Sequence, residues 1–127
     1  ITVRKEVQFM KYQLHQIHLT DAEHDKVNAE GHNSVPKHLA HIDMQVGMGK
    51  DISSMAQDAW EKGYFTHVSN IEAPTLEGVF HVGNMGPEEA IERLAPMYST
   101  SVGDIVIDPD GKKYVVASFG FQELEAA

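Results

Sequence analysis

Histidines are the residues of this sequence that could take part in the widest range of chemistry, and there are eight of them in 127 residues. His38 and His41 lie three residues apart on a predicted helix, and Asp43 follows them closely. Two imidazoles on one face of a helix can chelate a divalent ion, as paired histidines do in zinc sites. A third ligand would have to come from elsewhere, with His24 and His32 as candidates. His38, His41 and Asp43 are therefore candidate metal ligands, although half-buried histidines beside an apolar helix face are the favoured interpretation.

Two other spacings resemble binding motifs but lack an essential part. His15 and His18 have opposite parity on a predicted strand, so they point to opposite faces and cannot chelate one ion together. Residues 47–50 read Gly-Met-Gly-Lys before a helix, which resembles part of a phosphate-binding loop. Asp51 follows where that loop has serine or threonine, so we interpret the segment as a turn between two helices.

Catalytic signatures are not recognisable in the sequence. Ser99, Ser101 and Asp104 are present, but no nucleophile elbow or triad pattern surrounds them. Residues 99–101 are expected to bond to the backbone ahead of a strand. Glu88 and Glu89 fit the start of a helix better than a catalytic pair of carboxylates. The sequence leaves the enzyme question open and leans toward a non-enzymatic function.

The charge and composition narrow the class of partner. The net charge of −9 disfavours nucleic acid and anionic membrane surfaces, whose binding rests on neutralising phosphates, and suits a basic protein partner better. There is no cysteine, which excludes disulfides and thiolate chemistry. No apolar run reaches the length of a membrane span. We expect a soluble protein in the cytoplasm of a bacterial or host cell.

The first half of the chain predicts one strand and three helices. An extended segment runs from Val7 to about Leu19, and its irregular alternation predicts either a bulge or burial on both faces. Three helices should follow. The first begins with a capping box at Thr20 and Glu23 and ends at Gly31, the second begins at Ser34 with the stripe Val35, Leu39, Ile42 and Val46, and the third carries the stripe Ile52, Met55, Ala56, Ala59 and Trp60 before Gly63.

The second half predicts mainly strands. Residues 64–71 are rich in aromatic and β-branched side chains, 77–82 form an apolar stretch of undetermined type, and 87–94 are predicted as a helix. Strands at 105–107 and 114–116 flank the turn Asp108–Gly111. Phe119 and Phe121 should share the core face, with a bend at Gly120.

These elements predict one α+β domain over residues 1–127, with a small, mostly antiparallel sheet, three to four short helices and a C-terminal β-hairpin.

Residues 99–107 (STSVGDIVI) and 114–124 (YVVASFGFQEL) resemble the YodL-like family. That family closes with a Ser-x-Ser-Val-[Ser/Gly]-Asp-Val-Val strand, a turn and a Tyr-x-x-x-Ser-Phe-Gly-Phe ending. Weaker echoes are Thr75–Phe80, Asn84 and Pro87, together with Tyr12–Leu14. The similarity is best over residues 75–124, while residues 32–62 have no counterpart and are interpreted as a helical insertion. The resemblance implies a small domain of bacteria, phages and mobile elements, often without assigned activity, and it transfers no catalytic residues.

The leading functional hypothesis is a non-enzymatic phage or mobile-element accessory protein that acts by protein–protein contact, with a host protein as the partner. Two alternatives stay open. One is a histidine-based metal-binding module or metal-dependent hydrolase, and the other is a small-ligand binder with a pocket between helices and sheet. No cofactor other than a divalent metal is considered.

Overall fold

The computed structural model of the protein describes residues 9–47 and 51–124. The strands are β1 Met10–Ile17, β2 Phe65–Ala73, β3 Ile91–Arg93, β4 Ile105–Ile107, β5 Lys113–Val116 and β6 Phe121–Glu123. The helices are α1 Asp21–Glu30, α2 Pro36–Val46, α3 Ile52–Glu61 and α4 Leu76–Met85. Short 3-10 turns lie at His32–Ser34 and Glu88–Ala90.

The strands form one antiparallel sheet in the order β3-β2-β1-β4-β5-β6. The predicted α+β class with a C-terminal β-hairpin is confirmed: β4 and β5 pair around the predicted turn, and β6 pairs with β5. In that turn Asp108 Oδ1 accepts hydrogen bonds from the amides of Asp110 and Lys112, at 3.0 and 2.9 Å. No helix among the described residues is long and apolar enough to cross a bilayer.

Strand side chains alternate between the two faces of the sheet with a period of two, so apolar residues lie on both faces. Helices cover both of them. Helix α4 packs on one face, where its Val79 and Val82 join a first core cluster with strand residues Tyr12, Leu14, Val68, Ile71, Ala73, Val106 and Val116. Helices α2 and α3 pack on the other face. Their Met44, Ala56 and Ala59 form a second core cluster with Ile17, Ile105, Val115 and Leu124.

Strand β1 is buried on both faces over residues 14–17, which is one of the two alternatives that the sequence offered for its irregular alternation. The pairing of β1 with β2 also contains a bulge. Leu14 lies opposite Ser69 and His15 lies opposite His67, so the extra residue, Val68, belongs to β2 and not to β1. The predicted start of the strand, at Val7, lies outside the described residues.

The helical predictions for the first half are confirmed with two corrections. The capping box at Thr20 and Glu23 and the inner stripe of α3 are present. Ser34, however, does not cap α2. Its hydroxyl donates to the carbonyl of Gly31 at 2.6 Å, and α2 starts after Val35.

The predicted stripe of α2 is also wrong in part. Met44 is its buried residue and Ala40 packs beside it, whereas Val46 is exposed. Spacing alone could not show how the helix is rotated against the sheet. The connection from α2 to α3 contains residues 48–50, outside the described residues.

Two predictions in the second half are wrong. Residues 87–94 do not form a helix, because Ile91–Arg93 pairs with β2 as strand β3 and Ile91 packs against the first core cluster. Phe119 does not lie in the core, although Phe121 packs there as expected. Gly120 has a φ of +73° and ends the extended backbone, so the period of two does not reach back to Phe119. The apolar stretch 77–82 lies in helix α4.

Candidate functional site

The most exposed large apolar side chain of the described residues is Phe119, with 96% of its surface accessible. It lies in a turn between β5 and β6, residues 117–121, which we call the Phe119 tip. The amide of Ala117 donates to the carbonyl of Gly120 at 2.9 Å and closes the turn. Val116 before the tip is buried, and Phe121 at its end packs against the first core cluster. The tip therefore presents a phenyl ring to solvent on a backbone anchored at both ends.

Two partly apolar grooves flank the Phe119 tip. One has a volume of about 200 Å³ and is lined by Phe80 of α4 together with Val116 and Phe121. The other has a volume of about 250 Å³ and includes Met44 and Ile52 of the helices on the opposite face. The grooves and the ring form a continuous surface, because both are lined by residues 117 and 118.

The charges around the Phe119 tip are negative. Glu77 lines one groove and Asp51 the other, and the described lining residues of both grooves include no lysine or arginine. Glu123 is exposed on the adjoining strand β6. These side chains carry charge of the same sign as the whole chain, whose net charge is −9. A partner surface of opposite charge is the one this region would attract.

A second concave region lies where α4 ends. This cleft has a volume of about 320 Å³ and is lined by the end of α4, the Glu88–Arg93 ion pair and residues 97–99. Its walls are tied together by side chains. Asn84 Nδ2 donates to the carbonyl of Thr100 at 3.0 Å, and the Gln16 amide bonds to both the amide and the carbonyl of Tyr98.

Asp104 is linked to this cleft through Gln16, which also bonds to Tyr98. It is 2% exposed, and its Oδ2 accepts hydrogen bonds from the Ser101 amide and from Gln16 Nε2, both at 2.9 Å. Burial raises the pKa of the carboxyl to about 7. A value near neutrality suits proton transfer, but so deeply buried a group has no access to a substrate. Asp104 is therefore a positioning residue for the loop.

The expectation for residues 99–101 is wrong for Thr100. Its hydroxyl is buried and has no hydrogen-bond partner among the described residues. The bond that organises this segment is instead donated by the Ser101 amide to Asp104 Oδ2.

Two of the candidate metal ligands from the sequence, His38 and His41, face different side chains. His38 Nε2 lies 3.1 Å from His32 Nδ1, and His41 Nε2 lies 3.1 Å from the side-chain nitrogen of Gln45. Asp43 is exposed. Burial is the main cause that lowers the pKa of both His38 and His41. In the described part of the chain, no three histidine or carboxylate side chains are close enough to hold one ion.

The sequence did not indicate one polar cluster, centred on His15. This residue is 8% exposed and stacks on His67, with ring centroids 4.6 Å apart, while Trp60 meets it edge-on at 5.1 Å. Burial, followed by the charges of His67 and Lys113, lowers the pKa of His15 to about 4. The pairing of His15 with His67 follows from the strand register, which includes the bulge, so periodicity within one strand could not reveal it.

Comparisons with models of known families, with curated proteins and with solved structures find no match for this chain. The similarity to the YodL-like family therefore stays a prediction that rests on the residues quoted above.

Proposed function

We propose that this chain is a non-enzymatic phage or mobile-element accessory protein that binds a host protein in the cytoplasm through the Phe119 tip. The observation that carries the proposal is the 96% exposure of Phe119 on an anchored turn. The phage or mobile-element context comes from the resemblance over residues 75–124.

The exposed ring supports a contact function for an energetic reason. Burying a phenylalanine side chain in an apolar pocket contributes about 1.5–3 kcal/mol. The turn is closed by the Ala117–Gly120 hydrogen bond, so little backbone entropy is lost when the ring is captured. Aromatic anchors of this kind carry a large share of the affinity in protein interfaces.

The chemistry of the partner follows from the surroundings of the ring. The two flanking grooves are partly apolar, with Phe80 on one side and Ile52 on the other. Glu77, Asp51 and Glu123 place negative charge around them. The partner is therefore a protein with an apolar pocket surrounded by lysine or arginine side chains, and the association should weaken as salt is added.

The test compares Phe119→Ala with Leu94→Ala in capture from bacterial lysate. Leu94 is also an exposed apolar residue, but it follows β3, at the opposite edge of the sheet from β6. Both truncations should change stability by no more than about 0.5 kcal/mol, because the side chains are exposed. We expect the wild type and Leu94→Ala to retain the same partner, and Phe119→Ala to lose it.

Two results would argue against the proposal. One is a partner retained equally by all three proteins, or no reproducible partner at all. The other is self-association that Phe119→Ala abolishes in sedimentation experiments, which would make a second copy of the chain the occupant of the surface.

A second candidate function, small-ligand binding, is favoured by the 320 Å³ cleft at the end of α4. Its walls are held in place by hydrogen bonds of Asn84 and Gln16. A ligand that binds only the folded state must raise the melting temperature. A panel of nucleotides and metabolites should contain a compound that does so for the wild type and not for Tyr98→Ala. An unchanged melting temperature throughout would count against this function.

A further inference from the structure

Two histidine nitrogens outside the Phe119 tip and the cleft face each other at a short distance. His32 lies in the 3-10 turn between α1 and α2, and His38 lies in the first turns of α2. The distance from His32 Nδ1 to His38 Nε2 is 3.1 Å. Both side chains have accessible surface, so an ion could reach them from solvent.

At this distance the two nitrogens are in hydrogen-bond contact, and a metal ion that replaces the shared proton needs them only slightly further apart. Zinc–nitrogen bonds of about 2.0–2.1 Å in a tetrahedral site place two ligating nitrogens about 3.4 Å apart. The observed 3.1 Å differs from that value by only a few tenths of an ångström. The ring centroids are 5.2 Å apart and the planes are tilted by 31°.

The backbone that carries the two histidines is fixed by local contacts. The Ser34 hydroxyl donates to the Gly31 carbonyl at 2.6 Å, which holds the 3-10 turn of His32. Lys37, next to His38, forms an ion pair with Glu23 of α1 at 2.8 Å. These contacts fix the backbone positions from which the two side chains extend.

We propose that His32 Nδ1 and His38 Nε2 bind one divalent transition-metal ion of the zinc class in an open surface site. Water or a group from a bound molecule completes the coordination. Neutral imidazole is the ligand. The proposed site does not include His41, whose Nε2 lies 3.1 Å from the Gln45 side-chain nitrogen, or Asp43.

The test is calorimetric titration of Zn²⁺ into the full chain, free of any histidine tag, at neutral pH. We expect saturable binding of one ion per chain. His32→Ala and His38→Ala should each weaken it by more than tenfold, because even loss of an outer-sphere partner costs about 10–100-fold in affinity. His41→Ala is the matched control, three residues along the same helix, and should bind as the wild type does.

The melting temperature in Zn²⁺ and in EDTA is the second readout. Zinc should raise it for the wild type and for His41→Ala, and not for the other two variants. Binding should also weaken as the pH falls, because protons compete with the ion for its ligands. Absence of saturable binding by the wild type, or its loss in His41→Ala with retention in His32→Ala, would overturn the proposal.

Discussion

Two buried titratable residues have pKa values displaced in opposite directions. Burial raises the pKa of Asp104 to about 7 and lowers that of His15 to about 4. In both cases the neutral form is favoured in the folded protein, because the charged form loses its hydration. The two residues therefore make opposing contributions to the pH dependence of folding stability.

Asp104→Asn should change the pH dependence of stability at weakly acidic and neutral pH. The unfolded carboxyl ionises near its ordinary value of 3.8, and the folded one near 7. Its neutral form stabilises the fold fully below pH 3.8, and this contribution is lost as the pH rises through 7. The amide side chain of the variant cannot ionise, so the variant should gain stability relative to the wild type between about pH 4 and 8, by at most about 4 kcal/mol. Urea unfolding at several pH values measures this gain, and a constant difference would contradict the prediction.

His15→Phe should change the pH dependence of stability between about pH 4 and 6.5. Unfolded histidine is protonated below its ordinary 6.5, whereas folded His15 stays neutral down to about 4. The stabilising contribution is present above pH 6.5 and is lost as the pH falls through 4. The wild type should therefore lose up to about 3 kcal/mol relative to the variant over that interval. His81→Phe, at an exposed position on α4, is the control and should follow the wild type. Equal acid sensitivity of all three proteins would refute the assignment.

Local spacing predicted part of these sites, and the rest depended on the sheet. His38 was a candidate metal ligand from its place on the predicted helix. The stacking of His15 on His67 depends on strand register, and the exposure of Phe119 depends on the backbone at Gly120. The partner of His38 was one of the candidates in the sequence, His32, but the distance between them required the turn before α2.

At the scale of elements, Gly83 allows α4 to approach the loop before β4. A Cβ atom at position 83 would lie 3.0 Å from Thr100 Cβ and still closer to its hydroxyl. Thr100 is buried in a loop that Asn84 holds, so it cannot move aside easily.

Gly83→Ala should therefore destabilise the protein by about 1–3 kcal/mol through overpacking, despite the roughly 1 kcal/mol that alanine gains in a helix. Thr100→Ala removes the atoms in conflict and a hydroxyl without a partner among the described residues. The cost of Gly83→Ala should thus fall sharply when it is measured in the Thr100→Ala background. Chemical denaturation of the wild type, the two single variants and the double variant measures both costs. Equal costs of Gly83→Ala in the two backgrounds would disprove the close approach.

Elements with explicit end signals were the ones that the sequence predicted best. Thr20 and Glu23 begin α1, and Asp108 organises the turn between β4 and β5. The helix predicted over residues 87–94 failed although its signals were also present. There, pairing of β3 with β2 and burial of Ile91 outweighed the local preference, which is worth only tenths of a kcal/mol per residue.

At the scale of the whole molecule, the two core clusters share one sheet and should unfold together. Met44 is 1% exposed in the second cluster, and Val79 is fully buried in the first. Met44→Ala should cost about 2–5 kcal/mol and Val79→Ala somewhat less. Trp60, the single tryptophan, reports on the second cluster by fluorescence, and circular dichroism reports on the whole. In both variants the two signals should give one coincident transition, and separate transitions would show independent units.

The predicted insertion, residues 32–62, takes part in that core. Its Met44, Ala56 and Ala59 pack against Ile105 and Val115 of the C-terminal strands. These strands lie in the stretch that resembles the YodL-like family. Whatever the history of the segment, its helices cover one face of the sheet in this chain.

The sheet ends in a three-residue strand on each side, β3 and β6. Fibres grow when a long, uncharged strand at the border of a sheet accepts strands from other molecules. Here the border strands offer few main-chain groups, and Glu92, Arg93 and Glu123 place charges along them. The described part of the sheet is therefore a poor template for amyloid-like growth.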